Sequence, residues 1–302
     1  MQHGSETISG ILGGVFSVIL WSGLPVLRGM TDLPPLQVAA VALGVAALMS
    51  GGVTRLASAS RPGRPAAGGA MYWIAGVGGL AGALYFYFLA LGLGDPAVVT
   101  LITYTWPLGF VLAAELRTGR RPRPAILTGA TIAFAGIAPL LAAGGGGPTP
   151  AAAWLAGLAS GGAWIAFSLY LRDAGSLPFG AWAGLFGRAA GVVLFLHLAL
   201  ETTFWGDAGD WLAAAAIGIG PYGLAFMTWG YALRHGPAGL LGTLTYAVPV
   251  LASAALVALG RSPADPRLAL AAAAVVGGAL IASGGPGPFR PRRRWPQQRT
   301  NA

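Results

Sequence analysis

Thr103-Tyr104-Thr105-Trp106-Pro107 and Thr245-Tyr246-Ala247-Val248-Pro249 set one T-Y-x-x-P motif down twice in a single chain. Each copy lies inside an apolar stretch of about twenty residues, enough to cross ~30 Å of hydrocarbon as a helix. A proline inside such a helix has no amide donor and frees the carbonyl one turn earlier. In lipid that carbonyl needs protein or water beside it, so the two prolines predict two bent helices that face a polar interior. The motifs also set a register for the rest of the chain. Pro96-Ala97 precedes the first copy as Pro237-Ala238 precedes the second, and Gly119-Arg120-Arg121-Pro122 follows as Gly260-Arg261-Ser262-Pro263 does. Leu33-Pro34 matches Leu177-Pro178, with Arg28 and Arg172 equally far upstream and Trp21 and Trp164 earlier still. Offsets of 141 to 144 residues relate all of these pairs. The chain is a duplication.

Composition says where it lives. Of 302 residues, 55% are hydrophobic and only 9% charged, against roughly 25% charged in a soluble domain. With mean hydropathy of +0.69, disorder, collagen, coiled coil and ordinary soluble enzyme are excluded. Apolar segments predict about ten transmembrane helices: Ile8 to Arg28, Pro35 to Thr54, Ala70 to Gly92, Asp95 to Glu115, Pro124 to Ala143, Pro150 to Leu171, Phe179 to Leu200, Asp210 to Leu233, Pro237 to Leu259 and Pro266 to Ser283. Backbone amides find no water in lipid, so these are helices, and barrel strands would be shorter and alternating. The first segment has no Arg before it and no small-residue cleavage site, so it reads as a retained helix rather than a signal peptide.

Residues 1–143 form one five-helix half, 144–149 a Gly/Pro linker, 150–284 a second half, and 285–302 an Arg-rich tail. Five is odd, so the second half enters from the other face: an all-α membrane protein of two inverted repeats. Arg55, Arg61, Arg64, Arg117, Arg120, Arg121, Arg123, Arg172, Arg234 and the tail arginines then share one side, against Arg28, Arg261 and Arg267 on the other. By the positive-inside rule both termini are cytoplasmic, in a bacterial inner membrane. The net charge of +9 reads as topology and contact with anionic lipid, not as a nucleic-acid surface.

Several chemistries are missing. There is no Cys and no Lys, hence no thiolate metal site, no Walker-type phosphate loop and no Schiff base. His3, His197 and His235 lack ligand spacing to one another, so no metal or cofactor is expected. Gly76-Val77-Gly78-Gly79-Leu80-Ala81 imitates a dinucleotide fingerprint but falls inside a span, where small residues pack helices. Ser160 has no base within reach for nucleophilic catalysis, so an intramembrane enzyme is disfavoured. Two halves of nearly one expected structure that can exchange conformations about a central site point instead to transport.

The duplicated motifs, with Ala90-Leu91 ahead of Gly94-Asp95-Pro96-Ala97 and Ala232-Leu233 ahead of Gly236-Pro237-Ala238, resemble the EamA family of the drug/metabolite transporter superfamily over nearly the whole chain. Within it the sequence is similar to the YddG-type exporters of aromatic and other neutral amino acids. The resemblance implies export of such amino acids by alternating access, from a monomer or alternatively a dimer. One departure stands out. The family's usual Gly-Glu at the joints is Gly119-Arg120 and Gly260-Arg261 here, so no role of that glutamate carries over. Export of drugs or lipophilic cations is the competing reading, and it would favour a deep carboxylate.

The expected site lies on the two bent helices. Helical spacing aligns Thr100, Tyr104 and Pro107 on one face and Gly242, Tyr246 and Pro249 on the other, with Thr103 and Thr245 beside them. Trp73, Trp154, Trp205 and Trp211 fall at helix ends and suit the interfacial belt. Trp21, Trp106, Trp164, Trp229 and the run from Tyr85 to Phe88 lie deeper, where indole and phenol groups need polar partners. Trp21, Tyr85, Trp164 and Trp229 are expected to box an apolar side chain. Arg188 is about 14 Å into its helix by rise, and its counterpart in the first half is Gly44. It is a candidate for a substrate carboxylate, with pairing to freed carbonyls or snorkelling as the alternatives. Glu115 is expected in an ion pair beside Arg117 and Arg120, with proton coupling as the other option. Asp95 and Arg28 belong at the outer mouth.

Overall fold

The computed structural model describes residues 2–56, 69–117, 119, 121–142, 149–174, 177–260 and 264–283. The expected tail, most of the linker, and Arg61, Arg64, Arg120 and Arg261 lie outside them. Every regular element among the described residues is a helix. The first half holds α1 (Gln2–Ser22), α2 (Leu24–Arg28), α3 (Pro35–Leu56), α4 (Gly78–Leu93), α5 (Pro96–Thr103), α6 (Trp106–Leu116) and α7 (Pro124–Ala142). The second holds α8 (Ala151–Asp173), α9 (Phe179–Leu200), α10 (Ala208–Ile217), α11 (Ala225–His235), α12 (Ala238–Leu244), α13 (Ala247–Ala258) and α14 (Arg267–Ser283). Eight continuous stretches are long and apolar enough to cross a bilayer, and two apolar helices, Pro124–Pro139 and Arg267–Ala282, are shorter.

Proline and glycine punctuate these helices as backbone chemistry requires. Pro35, Pro96 and Pro124 open their helices, where the missing N–H is an orphan anyway. Pro150, Pro178 and Pro237 sit in extended conformation one residue ahead of α8, α9 and α12. Gly119 and Gly260, the repeated glycines of the two joints, both have positive φ, at 70° and 67°. Only glycine adopts that conformation without a Cβ clash.

The pairing of helices establishes the inversion. Along α8 and the span Tyr72–Leu93 that ends in α4, Gly76 meets Tyr170, Gly79 meets Phe167, and the Ser160 hydroxyl donates to the Ala83 carbonyl at 2.8 Å. That register is antiparallel. So is α1 against α11, where Gly10 meets His235 and the Ser17 hydroxyl bonds the Ala225 carbonyl at 3.0 Å. So too is α3 against α9, where Gly187 lies near Ala47 and Glu201 accepts from Leu36. The turn at 29–34 sets α3 against α1, so α9 runs with α1. The turn after Asp173 sets α8 against α9, and therefore against α1. The opening helices of the two halves point in opposite directions.

Both T-Y-x-x-P helices are divided. Tyr104 and Thr105 interrupt the first between α5 and α6, and Thr245 and Tyr246 interrupt the second between α12 and α13. The expectation of prolines kinking continuous helices therefore changes. Pro107 and Pro249 occupy the first turn of a new helix, where no intrahelical donor is lost. Tightened bonds carry the chain across each break, Thr105 N–H to the Ile102 carbonyl at 3.1 Å and Tyr246 N–H to the Thr243 carbonyl at 3.2 Å. The Thr105 and Thr245 hydroxyls donate to the carbonyls three residues back, at 2.7 and 2.6 Å.

Candidate functional site

Four tryptophans from four different spans converge beside these breaks. Trp21 of α1 stands edge-on to Trp229 of α11 with ring centres 5.3 Å apart. Trp229 meets Trp106 of α6 at 6.5 Å, and Trp106 meets Trp164 of α8 at 6.3 Å. Phe226 closes the set, 5.8 Å from Trp21 and 5.6 Å from Trp164. Phe167 and Tyr222 back Phe226 at 5.8 and 5.6 Å. Each such pair contributes about 0.5–1.5 kcal/mol beyond its buried area. Phe226 was not among the sequence candidates. Its signal was helical spacing, since it shares a face with Tyr222 one turn before and Trp229 one turn after.

The four indole N–H groups are not equivalent. Trp21 donates to the Pro221 carbonyl at 2.9 Å, within the wide π-helical turn Gly218–Leu224. Trp229 makes a long contact of 3.4 Å to the Ser168 hydroxyl. The N–H groups of Trp106 and Trp164 have no partner among the described residues, and neither nitrogen is sealed inside the protein. Nearby, at the break before α6, the Thr103 hydroxyl is buried with no partner and faces Gly157 of α8. The corresponding hydroxyl in the second half, on Thr245, is satisfied. Polar capacity is therefore left open on the α5–α6 and α8 side of the cluster.

The remaining candidates divide. Tyr104 and Tyr246 pack in a separate cluster with Phe134, Ile137 and Val275, between α7 and α14. Tyr246 is fully buried, and its hydroxyl faces the backbone of Leu108 without meeting hydrogen-bond geometry. The T-Y-x-x-P tyrosines thus stand apart from the tryptophans, because the break turns them toward the helix pair at the end of each half. Pro107 and Pro249 are buried, with the Pro107 carbonyl close to Gly242 of α12. Thr100 contacts the Tyr87 hydroxyl at 3.2 Å, and Tyr85 packs half-buried against the main core.

The ionised groups are held elsewhere. Arg188 donates to the Tyr72 hydroxyl at 3.2 Å and the Gly184 carbonyl at 3.0 Å, and lies 5.6 and 5.7 Å from the Tyr72 and Trp73 ring centres. Its long stem carries the guanidinium toward the start of the third span, as snorkelling does. Glu115 lies 3.7 Å from Arg123, while Arg117 pairs with Asp173 at 2.7 Å. Arg28 bonds the carbonyls of Thr31 and Leu33. Among the described residues no cluster of His, Asp or Glu has the makings of a metal site.

A neutral aromatic cluster thus lies between two inverted halves, each with a broken helix. The profile of the EamA-like transporter family matches twice, over residues 8–142 and 150–284. The chain belongs to that family. As an EamA-like transporter it is a multi-pass protein of the bacterial inner membrane. It is 36% identical over 286 residues, 91% of this chain and 97% of the other, to a protein of Ancylobacter novellus named aromatic amino acid exporter YddG. It is also 31% identical to an uncharacterized protein of Pseudomonas aeruginosa over 73% of this chain and 75% of that one. A crystal structure of a protein 34% identical to it superposes with a TM-score of 0.83, covering 92% of this chain and 98% of that one.

Proposed function

We propose that this transporter exports amino acids with aromatic and other neutral side chains, moving them by alternating access past the tryptophan cluster. The observation that carries the reading is the division of labour among the indoles. Trp21 and Trp229 are tied to protein oxygens, while Trp106 and Trp164 present donors with no partner among the described residues, beside an apolar face. An α-amino acid has the matching chemistry, an anionic carboxylate for the donors and an apolar side chain for the rings. Hydrogen bonds to an ionised acceptor are the stronger kind. A neutral cluster suits a zwitterion, whose own charges cancel, better than a lipophilic cation, which would call for a buried carboxylate.

The inverted halves support the cycle. The pairing of α4 with α8 has its inverted counterpart in the pairing of α1 with α11, and a cycle in which the two halves exchange conformations converts one access state into the other. We place both termini in the cytoplasm on the arginine distribution and take the monomer as the working unit. Counterflow in proteoliposomes tests the reading. Labelled phenylalanine, tryptophan and a small neutral amino acid should exchange, while the decarboxylated amines exchange more weakly. Uptake of amines in preference to amino acids would overturn the assignment.

A further inference from the structure

One cleft among the described residues lies away from the tryptophan cluster. It is a cavity of about 80 Å³ between the end of α8, the start of α9 and the end of α11, lined by Leu171, Leu177, Trp182, Met227, Gly230, Tyr231 and Arg234. Met227, Gly230 and Arg234 follow one another along a single face of α11. Gly230 keeps that face open, since a Cβ there would come within 2.8 Å of the Trp182 ring. The walls mix apolar side chains with polar groups, and Arg234 brings one charge. Arg234 is half-buried and has no hydrogen-bond or ion-pair partner among the described residues. The other arginines at comparable positions are engaged, Arg28 by backbone carbonyls, Arg117 by Asp173 and Arg188 by Tyr72. A partly desolvated guanidinium in a cleft of mixed polarity is matched by a carboxylate on an apolar body.

The inverted repeat supplies an internal control. In the register of the neighbouring Ala90-Leu91 and Ala232-Leu233 pairs, Arg234 corresponds to Gly92 and Gly230 to Phe88. Gly92 carries no side chain, and Phe88 puts a ring where Gly230 has none. The equivalent place in the first half therefore has no guanidinium. A duplicated scaffold would carry the charge at both places, and only Arg234 supplies it.

We infer that this cleft is a loading subsite on the cytoplasmic face, where Arg234 takes the carboxylate of an outgoing amino acid before it reaches the tryptophans. This rests on the export reading above. The cavity is about half the volume of one that takes a benzene ring, so it admits a carboxylate as it stands. An aromatic side chain enters when Leu177 or Trp182 turns aside. Because the guanidinium is present in one half only, the subsite raises affinity for substrate arriving from that face and leaves the opposite face unchanged.

The test is sided transport in oriented proteoliposomes, comparing phenylalanine with phenethylamine. Arg234→Gln should raise the KM for phenylalanine presented from the cytoplasmic face about tenfold, with the KM from the outer face and both values for phenethylamine unchanged. Arg234→Lys should recover part of the loss, and Leu177→Trp, which plugs the cleft while leaving the charge, should reproduce it. Equal KM changes on both faces, or equal losses for acid and amine, would overturn the inference. So would an effect that appears only when anionic lipid is exchanged for neutral lipid, since Arg234 would then be holding a lipid phosphate. If the wild-type protein exchanges no amino acid at all, the export reading fails first. If it does and Arg234→Gln behaves as wild type, only the subsite fails.

Discussion

Replacing Trp21 and Trp164 one at a time by phenylalanine separates scaffold from substrate contact, because the two residues are counterparts in the duplication yet differ in one bond. Trp21 donates to the Pro221 carbonyl at 2.9 Å, inside a π-helical turn whose carbonyls are not all used by the helix. Removing that donor loses a neutral hydrogen bond of about 1 kcal/mol, nearer 0.6 kcal/mol by the average within bilayers. Trp21→Phe should therefore lower the melting temperature by a few degrees and leave substrate affinity within about twofold. Trp164 makes no such bond, so its N–H contributes nothing to the resting fold. A hydrogen bond to a carboxylate contributes about 1.5–3 kcal/mol, or at least tenfold in affinity at 1.4 kcal/mol per decade. Trp164→Phe should leave the melting curve in place and weaken phenylalanine binding about tenfold, taking the lower end because water competes. Phenethylamine should be insensitive to Trp164→Phe. Two measurements suffice, thermal unfolding in detergent and competition against labelled phenylalanine in counterflow. Equal weakening of acid and amine by Trp164→Phe would show that only the ring matters. A Trp21→Phe protein that melts normally but binds poorly would reverse the two roles.

Arg188→Gln should leave the ratio of amino-acid to amine transport unchanged and lower thermal stability modestly, since the guanidinium is engaged with Tyr72, Trp73 and the Gly184 carbonyl; a selective loss of carboxylate substrates in counterflow would return it to the binding site. Glu201→Ala should destabilise the protein by about 1–2 kcal/mol, read as a lower melting temperature, because the Glu201 carboxylate accepts from the Leu36 and Gln37 amides at the start of α3 and meets His197 Nδ1 at 2.9 Å. An unshifted transition would mean that water replaces the carboxylate there without loss.

The fold was legible because bilayer physics leaves few choices. Twenty-residue apolar runs, an odd number per half and a shared spacing of motifs lead to inverted helical repeats, and the repeated Gly119 and Gly260 turn up in the same left-handed conformation. The site was legible only in part. Depth along a helix follows from sequence position, so Trp21, Trp106, Trp164 and Trp229 could be singled out as deep. Azimuth is harder once a helix is interrupted. At Tyr104-Thr105 and Thr245-Tyr246 the chain leaves the regular helical period, so a face drawn from Thr100 through Tyr104 to Pro107 no longer holds. Arg188 misleads for a related reason. Its Cα is deep, but six bonds of side chain put its charge beside Tyr72. Asymmetry between the halves was the least visible feature. The open hydroxyl of Thr103 against the satisfied one of Thr245, or Arg234 in place of Gly92, acquires meaning only when neighbours are known.

Tyr246 shows how that asymmetry can be put to use. Its ring is fully buried, 5.9 Å from Phe134 and packed between α7 and α14, so Tyr246→Ala would open a cavity costing about 3–5 kcal/mol. Loss of export in that variant would say little about substrate, because the broken helix would lose its anchor. Tyr246→Phe is the discriminating change. It removes only a hydroxyl that has no hydrogen-bond partner in this state, and deleting an unsatisfied buried group is neutral or stabilising. If the hydroxyl is idle throughout the cycle, Tyr246→Phe should melt at or above the wild-type temperature and export at the wild-type rate at matched protein levels. If instead the α12–α13 break turns the hydroxyl toward a partner in the opposite access state, the variant will be stable yet slow, and the deficit will appear in exchange rate rather than in substrate affinity. A stable variant with lowered affinity would contradict both, and would return Tyr246 to the lining of the substrate path from which its position beside Phe134 removes it.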